Sequence, residues 1–385
     1  MTLVAIILVA GLALVGHGAL WVGLVNRWHA TGFPRKVVKL VTLVFYAGLL
    51  GIPLAIFFAL TADGWDMLPS KLRQWNGATV YALMAAVAGA LHLPVWARRV
   101  LRSGRLPQGV EVRSVAVIDI AASLGYAPSR GLRTELFRRV PFNQLWRLHV
   151  SEAIVRLPQL PPELEGLSLC HWSDLHFSGR IDRTYFHEVV RLTNQMGADL
   201  IALTGDVCDA APCIDWIVET LGPAQAPLGK YCILGNHDLR TKDVVRLRRA
   251  LAEAGFVDLG GRHQEIFGGR IEIAGNEVPW LGSRPEVPAR IPGQSLRLLL
   301  SHSPDQYAWA RRSKYDLVLA GHTHGGQIRF PLVGPIICPS WHGTRYASGF
   351  FREPPTVMHV SRGTASLFPL RLNCPPEITK LVLRS

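Results

Sequence analysis

Acidic side chains are in short supply: 28 Asp and Glu stand against 41 Lys and Arg, a formal net charge of +13. That imbalance excludes an acidic protein and leaves nucleic acid, a membrane surface or an anionic substrate as the partner to be distinguished. Paired cysteines are missing too. The six cysteines, Cys170, Cys208, Cys213, Cys232, Cys338 and Cys374, contain no C-x-x-C step, which argues against a thiolate zinc cluster. Several lie inside apolar runs, where a reduced Cys behaves as a small hydrophobe, as suits a cytosolic face. There is no internal repeat and no low-complexity tract. With 49% apolar residues the chain is not disordered, and its 385 residues suffice for one large domain or two ordinary ones.

The charge excess is uneven. Residues 1–145 hold 15 Lys and Arg against 5 Asp and Glu, whereas residues 146–385 hold 26 against 23. The surplus therefore accompanies the apolar N-terminal part, which favours a membrane surface over a nucleic-acid groove. Leu3–Leu24 carries no formal charge and is long enough to cross a bilayer. No Lys or Arg precedes it and it is too long for a signal-peptide core. Val37–Leu60 and Ala78–Trp96 predict two further spans. Arg27, Arg35, Lys36 and Lys39 flank the first connection, and Arg98, Arg99, Arg102 and Arg105 follow the third span. The second connection sets Lys71 and Arg73 against Asp63 and Asp66. By the positive-inside rule, everything after Trp96 is expected on the cytoplasmic side of the inner membrane. His17 and His92 fall within spans and are read as helix-end or helix–helix contacts.

The expected organisation is a three-helix transmembrane anchor over 1–97, a basic linker over 98–147 that lies against the membrane surface, and a catalytic domain over 148–385. Within the linker, Val115–Tyr126 is expected on the membrane surface or packed on the next domain. Arg130–Trp146 fits an interfacial amphipathic segment or an ordinary packing helix. From Leu148 onward short apolar strands alternate with helical segments, an α/β layout.

Each predicted strand ends in a polar cluster. Ser173-Asp174-Leu175-His176 follows the first, Gly205-Asp206-Val207-Cys208-Asp209 the second and Gly235-Asn236-His237-Asp238 the third. Ser301-His302-Ser303 and Gly321-His322-Thr323-His324-Gly325-Gly326-Gln327 follow later strands. Sites in open α/β sheets form where the carboxyl ends of strands meet. Asp174, His176, Asp206, Asn236, His302, His322 and His324 are then expected around one point. That set of carboxylates, imidazoles and an amide oxygen suits a pair of divalent ions such as Mn, Fe or Zn, which together clamp a displacement at phosphorus. His237 lacks an obvious ligand role and, set beside bound phosphate, is expected to protonate the leaving oxygen or to stabilise developing charge.

The five clusters in this order resemble the signature of the calcineurin-like metallophosphoesterase superfamily, over about residues 148–385. The resemblance implies a four-layer αββα sandwich with two sheets between helices. It implies one metal held by Asp174, His176, Asp206 and His324, and a second by Asp206, Asn236, His302 and His322, with Asp206 shared. It also implies catalysis by His237, oriented by Asp209, and a metal-bridging hydroxide as nucleophile. Ser361-Arg362-Gly363 and Pro369–Ile378 resemble the membrane-associated bacterial branch, some members of which cleave the pyrophosphate of UDP-2,3-diacylglucosamine. Thr364-Ala365-Ser366 stands where that branch has a glycine-rich turn, and three spans replace a simpler anchor.

The expected function is a membrane-anchored dinuclear-metal phosphohydrolase acting on a phosphoester or pyrophosphate, with a phospholipid or nucleotide-linked lipid as candidate substrate and the bilayer as partner. No nucleic-acid partner is expected. A nuclease or protein phosphatase on the same site, and a catalytically silent membrane scaffold, are the alternatives. Arg362 and Arg371 are candidate phosphate clamps or structural ion-pair partners. Phe330–Trp341 is apolar, either a lip that enters lipid or a packed loop.

Overall fold

The computed structural model describes residues 3–62, 74, 76–102, 104–289 and 293–385. The chain forms two compact units, Met1–Arg105 and Leu106–Ser385.

The first unit contains helices α1 (Leu3–His29), α2 (Arg35–Thr61) and α3 (Gly77–Arg102), each long and apolar enough to cross a membrane. At 1.5 Å per residue such helices exceed the roughly 30 Å of bilayer hydrocarbon. Close approach of α1 to α3 depends on a missing side chain. A Cβ on Gly16 would lie 1.8 Å from the Ala85 carbonyl oxygen, the small-residue contact that draws apolar helices together in lipid. His17 makes the helix–helix contact expected of it: Nε2 donates to the Leu49 carbonyl at 2.9 Å and Nδ1 meets the Tyr81 hydroxyl at 2.6 Å. His92 lies on an exposed part of α3. Asp63, Asp66, Lys71 and Arg73, which entered the orientation argument, lie outside the described residues.

The second unit is a two-sheet sandwich. Its first sheet has the order β1 (Val110–Asp119), β2 (Arg147–Arg156), β15 (Glu377–Arg384), β3 (Ser168–Trp172), β4 (Leu200–Thr204), β5 (Lys230–Ile233) and β6 (Phe256–Asp258). The second has the order β13 (Gly349–Glu353), β14 (Thr356–Val360), β10 (Leu317–Ala320), β9 (Leu296–Ser301), β8 (Ile271–Asn276) and β7 (His263–Ile266). A small hairpin pairs β11 (Arg329–Phe330) with β12 (Gly334–Pro335). β3 to β6 run parallel, as do β8, β9, β10 and β14. Their carboxyl ends thus collect on one side of each sheet.

Period-two alternation assigns each strand residue to a layer. On β4, Leu200 and Ala202 enter the core between the sheets, while Ile201 and Leu203 face the helices outside. On β10, Leu317 and Leu319 enter that same inter-sheet core, and Val318 and Ala320 the outer one. The outer helices of the first sheet include α6 (Arg183–Met196), α7 (Trp216–Leu221) and α8 (Val244–Glu253); α9 (Tyr307–Arg312) covers the second. α6 is bounded by ordinary capping chemistry, with the Asp182 side chain accepting from Thr184 N and Gly197 in the left-handed region.

Part of the segment expected as a linker joins the first sheet of the second unit, the packed alternative for Val115–Tyr126. Val110–Asp119 forms β1, antiparallel to β2, followed by the short helices α4 (Ile120–Leu124) and α5 (Leu132–Arg138). β1 is an edge strand exposed along most of its length, so no buried stripe marks it in the sequence.

Candidate metal centre

The loops that carry the seven ligand candidates extend the sheet pairing past the strand ends. Asp174 N donates to Gly205 O and His176 N to Asp206 O, both at 3.0 Å, tying the turn after β3 to the turn after β4. Gly321 N donates to His302 O at 3.0 Å and does the same for β9 and β10. Gly321 is required there, since a Cβ would fall 1.7 Å from Ser173 Oγ. Asp174, His176, Asp206, His322 and His324 all have left-handed backbones, with φ of 56°, 52°, 53°, 71° and 50°. Each such residue costs about 1–3 kcal/mol and persists only where its surroundings impose it.

The side chains converge in two groups that share one residue. Asp174, His176, Asp206 and His324 bring ligand atoms within 4.8 Å of one another, and so do Asp206, His302 and His322. Asn236 joins the second group, its Oδ1 lying 3.1 Å from His302 Nε2. His176 and His324 set their Nε2 atoms 3.0 Å apart, and His324 Nε2 is 3.3 Å from Asp174 Oδ1. Asp209 lies behind this set. Its Oδ2 accepts from His176 Nδ1 and its Oδ1 from His237 Nδ1, each at 2.7 Å. The nine residues singled out from the sequence are thus gathered in one place.

These donors fit divalent metal. The Thr204 carbonyl, 2.8 Å from His302 Nδ1, can only accept, so that nitrogen carries hydrogen. The Nε2 lone pair of neutral His302 then faces Asp206 Oδ1 at 3.3 Å, an arrangement of acceptors that calls for a cation. Carbonyl or carboxylate support of the second ring nitrogen, as at His302 and His176, is the usual setting of a metal-ligating imidazole. Without metal a proton takes that place. Burial opposes charge on His302, but the Asp206 carboxylate outweighs it and lifts the imidazolium to about 9. Burial and the Asp206 charge raise Asp174, while burial and His176 push His324 well below the ordinary histidine value. Burial likewise lowers His237.

Three further residues serve the site without having been singled out. Asp238 is buried and accepts from Val207 N, Cys208 N and Gly235 N at 2.7–2.9 Å, clamping the β4 and β5 turns together. Burial and then the neighbouring Asp206 push it up to about 7. Arg240 donates to Asp209 Oδ1 at 2.7 Å and lies 3.0 Å from His237 Nε2. Its one signal was its position three residues after His237, one 3₁₀ turn on. The Trp280 ring lies 4.6 Å from that of His322 and 5.4 Å from that of His302; no sequence pattern connected it to them.

The arginines considered as phosphate clamps are committed elsewhere. Arg371 is fully buried and donates to Ser366 Oγ and to the carbonyls of Arg362, Ala365 and Cys374 at 2.6–3.2 Å. Arg362 pairs with Glu377 at 2.5 Å. Both brace the loop behind His324.

The calcineurin-like phosphoesterase family model matches residues 167–326, the span from β3 through the His322–His324 turn. The chain is 31% identical over 248 residues to the uncharacterized metallophosphoesterase YkuE of Bacillus subtilis, covering 62% of this chain and 86% of that protein. It is 32% identical over 220 residues to the phosphodiesterase YaeI of Escherichia coli, covering 55% and 80%. A transmembrane protein with metallophosphoesterase domain from Bos taurus is 29% identical over 259 residues, covering 61% and 57%.

Proposed function

Since the chain belongs to the calcineurin-like metallophosphoesterases, we propose that this metal-dependent hydrolase is anchored in the inner membrane by its three apolar helices and works on the cytoplasmic side. Two divalent ions, Mn, Fe or Zn, are assigned to Asp174, His176, Asp206 and His324 and to Asp206, Asn236, His302 and His322. The observation that carries this reading is the pair of donor groups sharing Asp206; one carboxylate has two oxygens and serves both ions. Bound there, such ions supply Lewis acidity to a phosphoryl group and acidify water.

The protein's own groups divide the remaining work. Asp209 accepts from Nδ1 of both His176 and His237, so each imidazole presents Nε2 to the site in a fixed orientation. Nε2 of His237, which bears a lone pair in the neutral ring because Nδ1 carries the hydrogen given to Asp209, is the atom assigned to take up a proton and pass it to the departing oxygen. Arg240, beside it, offers a charged donor to the phosphoryl oxygens. The substrate is assigned to the phosphodiesters and pyrophosphates, with a lipid or nucleotide-linked lipid favoured by the membrane anchor.

Purified full-length protein and an Asn236→Ala variant test this with Mn²⁺ against UDP-2,3-diacylglucosamine, a phospholipid and bis-p-nitrophenyl phosphate, alongside metal analysis. Cleavage of a lipid, lost in the variant, supports the full reading. Cleavage of the small diester alone supports the chemistry and removes the lipid assignment. Bound metal with no cleavage of any of the three rejects the substrate class.

A further inference from the structure

The two most exposed large apolar side chains among the described residues are Phe142, at 90%, and Leu332, at 85%. Both are held outward by left-handed backbone, with φ of 63° and 62°, a conformation that bulky side chains avoid. Hydrogen bonds of the surrounding turns hold the backbone, but burial rewards neither side chain, which leaves both available to a partner outside the chain.

The two residues belong to one rim. Phe142 follows α5, whose Leu132 and Leu136 are also exposed; Leu332 tops the β11–β12 hairpin, beside exposed Phe330, Val333 and Ile337. Between them runs the segment 368–374. On one side Asn143 Nδ2 donates to Pro369 O at 2.9 Å and Phe137 packs edge-on against Phe368 at 4.8 Å. On the other, Arg329 N donates to Leu372 O and Asn373 Nδ2 to Arg329 O, both at 2.9 Å. The same segment supplies Arg371 and Cys374, which contact His324. The apolar rim therefore flanks the loop that braces the candidate metal centre.

Charge identifies the occupant. Residues 130–147 carry Arg130, Arg133, Arg138, Arg139 and Arg147 against Glu135 alone. The Arg133 guanidinium lies over Phe137 and Phe368, 5.8 and 5.2 Å from the ring centres. Apolar tips set among arginines suit an anionic bilayer surface, which receives the side chains in its interfacial layer and the guanidinium groups at its headgroups. Seven residues, 103–109, separate α3 from β1. A membrane holding the helices thus keeps the second unit at high local concentration, and a weak patch suffices.

We propose that this rim docks the second unit onto the anionic face of a lipid bilayer, with Phe142 and Leu332 inserted beside the metal centre. The docking is independent of whether the substrate is a lipid.

All six native cysteines are buried, so a thiol-reactive fluorophore reports on one introduced cysteine at a time. Full-length protein carrying Phe142→Cys, Leu332→Cys or the control Val245→Cys is labelled and reconstituted into vesicles containing nitroxide-labelled acyl chains. Val245 is 72% exposed on α8. With phosphatidylglycerol present, quenching at 142 and 332 is expected to exceed that at 245 at least twofold, and to drop on changing to phosphatidylcholine alone. Leu332→Asp is expected to reduce quenching at 142 while leaving hydrolysis of bis-p-nitrophenyl phosphate unchanged, which also reports an intact fold. Equal quenching at all three positions, or quenching indifferent to lipid charge, overturns the proposal. So does disulfide crosslinking between two copies of the unlabelled Leu332→Cys chain in place of quenching, which assigns the rim to a second copy.

Discussion

The helical unit buries one histidine, His17, and the catalytic unit several, and the two use them in opposite ways. In the helical unit, His17 belongs to a closed set. The Leu49 carbonyl takes its Nε2 hydrogen, its Nδ1 accepts from the Tyr81 hydroxyl, and the Tyr81 oxygen accepts from Trp21 Nε1 at 3.1 Å. Every donor there meets an acceptor. In the catalytic unit, the Thr204 carbonyl fixes the His302 tautomer so that Nε2 faces Asp206 Oδ1. Acceptor faces acceptor, and the set stays incomplete until a positive charge enters it. Burial alone does not separate a structural histidine from a ligand; the direction of the lone pair does.

This contrast predicts a graded series of effects. Asp206→Ala removes the residue common to both donor groups; activity on bis-p-nitrophenyl phosphate is expected to fall about 10³-fold or more, with bound metal lost by elemental analysis. Asp209→Asn leaves every proposed ligand in place but weakens the hold on His176 and His237. A loss of about 10–100-fold in metal affinity is expected by competitive titration; unchanged affinity would show that these imidazoles orient themselves.

The third effect depends on pH. Because His302 is lifted from 6.5 to about 9 in the folded protein, metal-free protein carries a proton there at neutral pH, and metal must displace it. Affinity is expected to rise with pH, by up to about tenfold per unit, and to flatten above about 9. Stability of the metal-free protein has the opposite sign. The His302 contribution is present in full below 6.5 and is lost as pH rises through about 9, which melting curves between about pH 6 and 10 will report. The smallest effect is expected from His17→Phe. It breaks the closed set in the helical unit at a cost near ~1 kcal/mol, lowers the melting temperature in detergent slightly, and leaves hydrolysis unchanged.

Much of the catalytic unit was legible because its strands bury both faces. Runs such as Leu200–Leu203 and Leu317–Ala320 are apolar throughout and end abruptly in polar clusters, so strand and site announce each other. The same logic hides β1, whose exposed residues give neither continuous burial nor clean alternation. It also hides Arg371, where a charge that composition places at the surface is satisfied inside by carbonyls of its own loop. Trp280 reaches the site from a segment with no polar signature, and Arg240 had only its place three residues after His237 to mark it. The apolar Phe330–Trp341 segment was legible as a lip or a packed loop; the structure divides it, with Leu332 exposed and Cys338 and Ser340 buried.

β15 follows every other described strand in the sequence, yet it lies inside the first sheet, parallel to β2 and antiparallel to β3. During synthesis that sheet therefore waits in two halves, β1–β2 on one side and β3–β6 on the other, each with an open edge. The three apolar helices precede all of these strands in the chain. Closure of the gap also fixes Glu377, which accepts from Arg362 N at 2.8 Å and so completes the brace behind His324. Closure thus comes last: the turns that carry Asp174, Asp206 and Asn236 are all made before the strand that locks Arg362 in place.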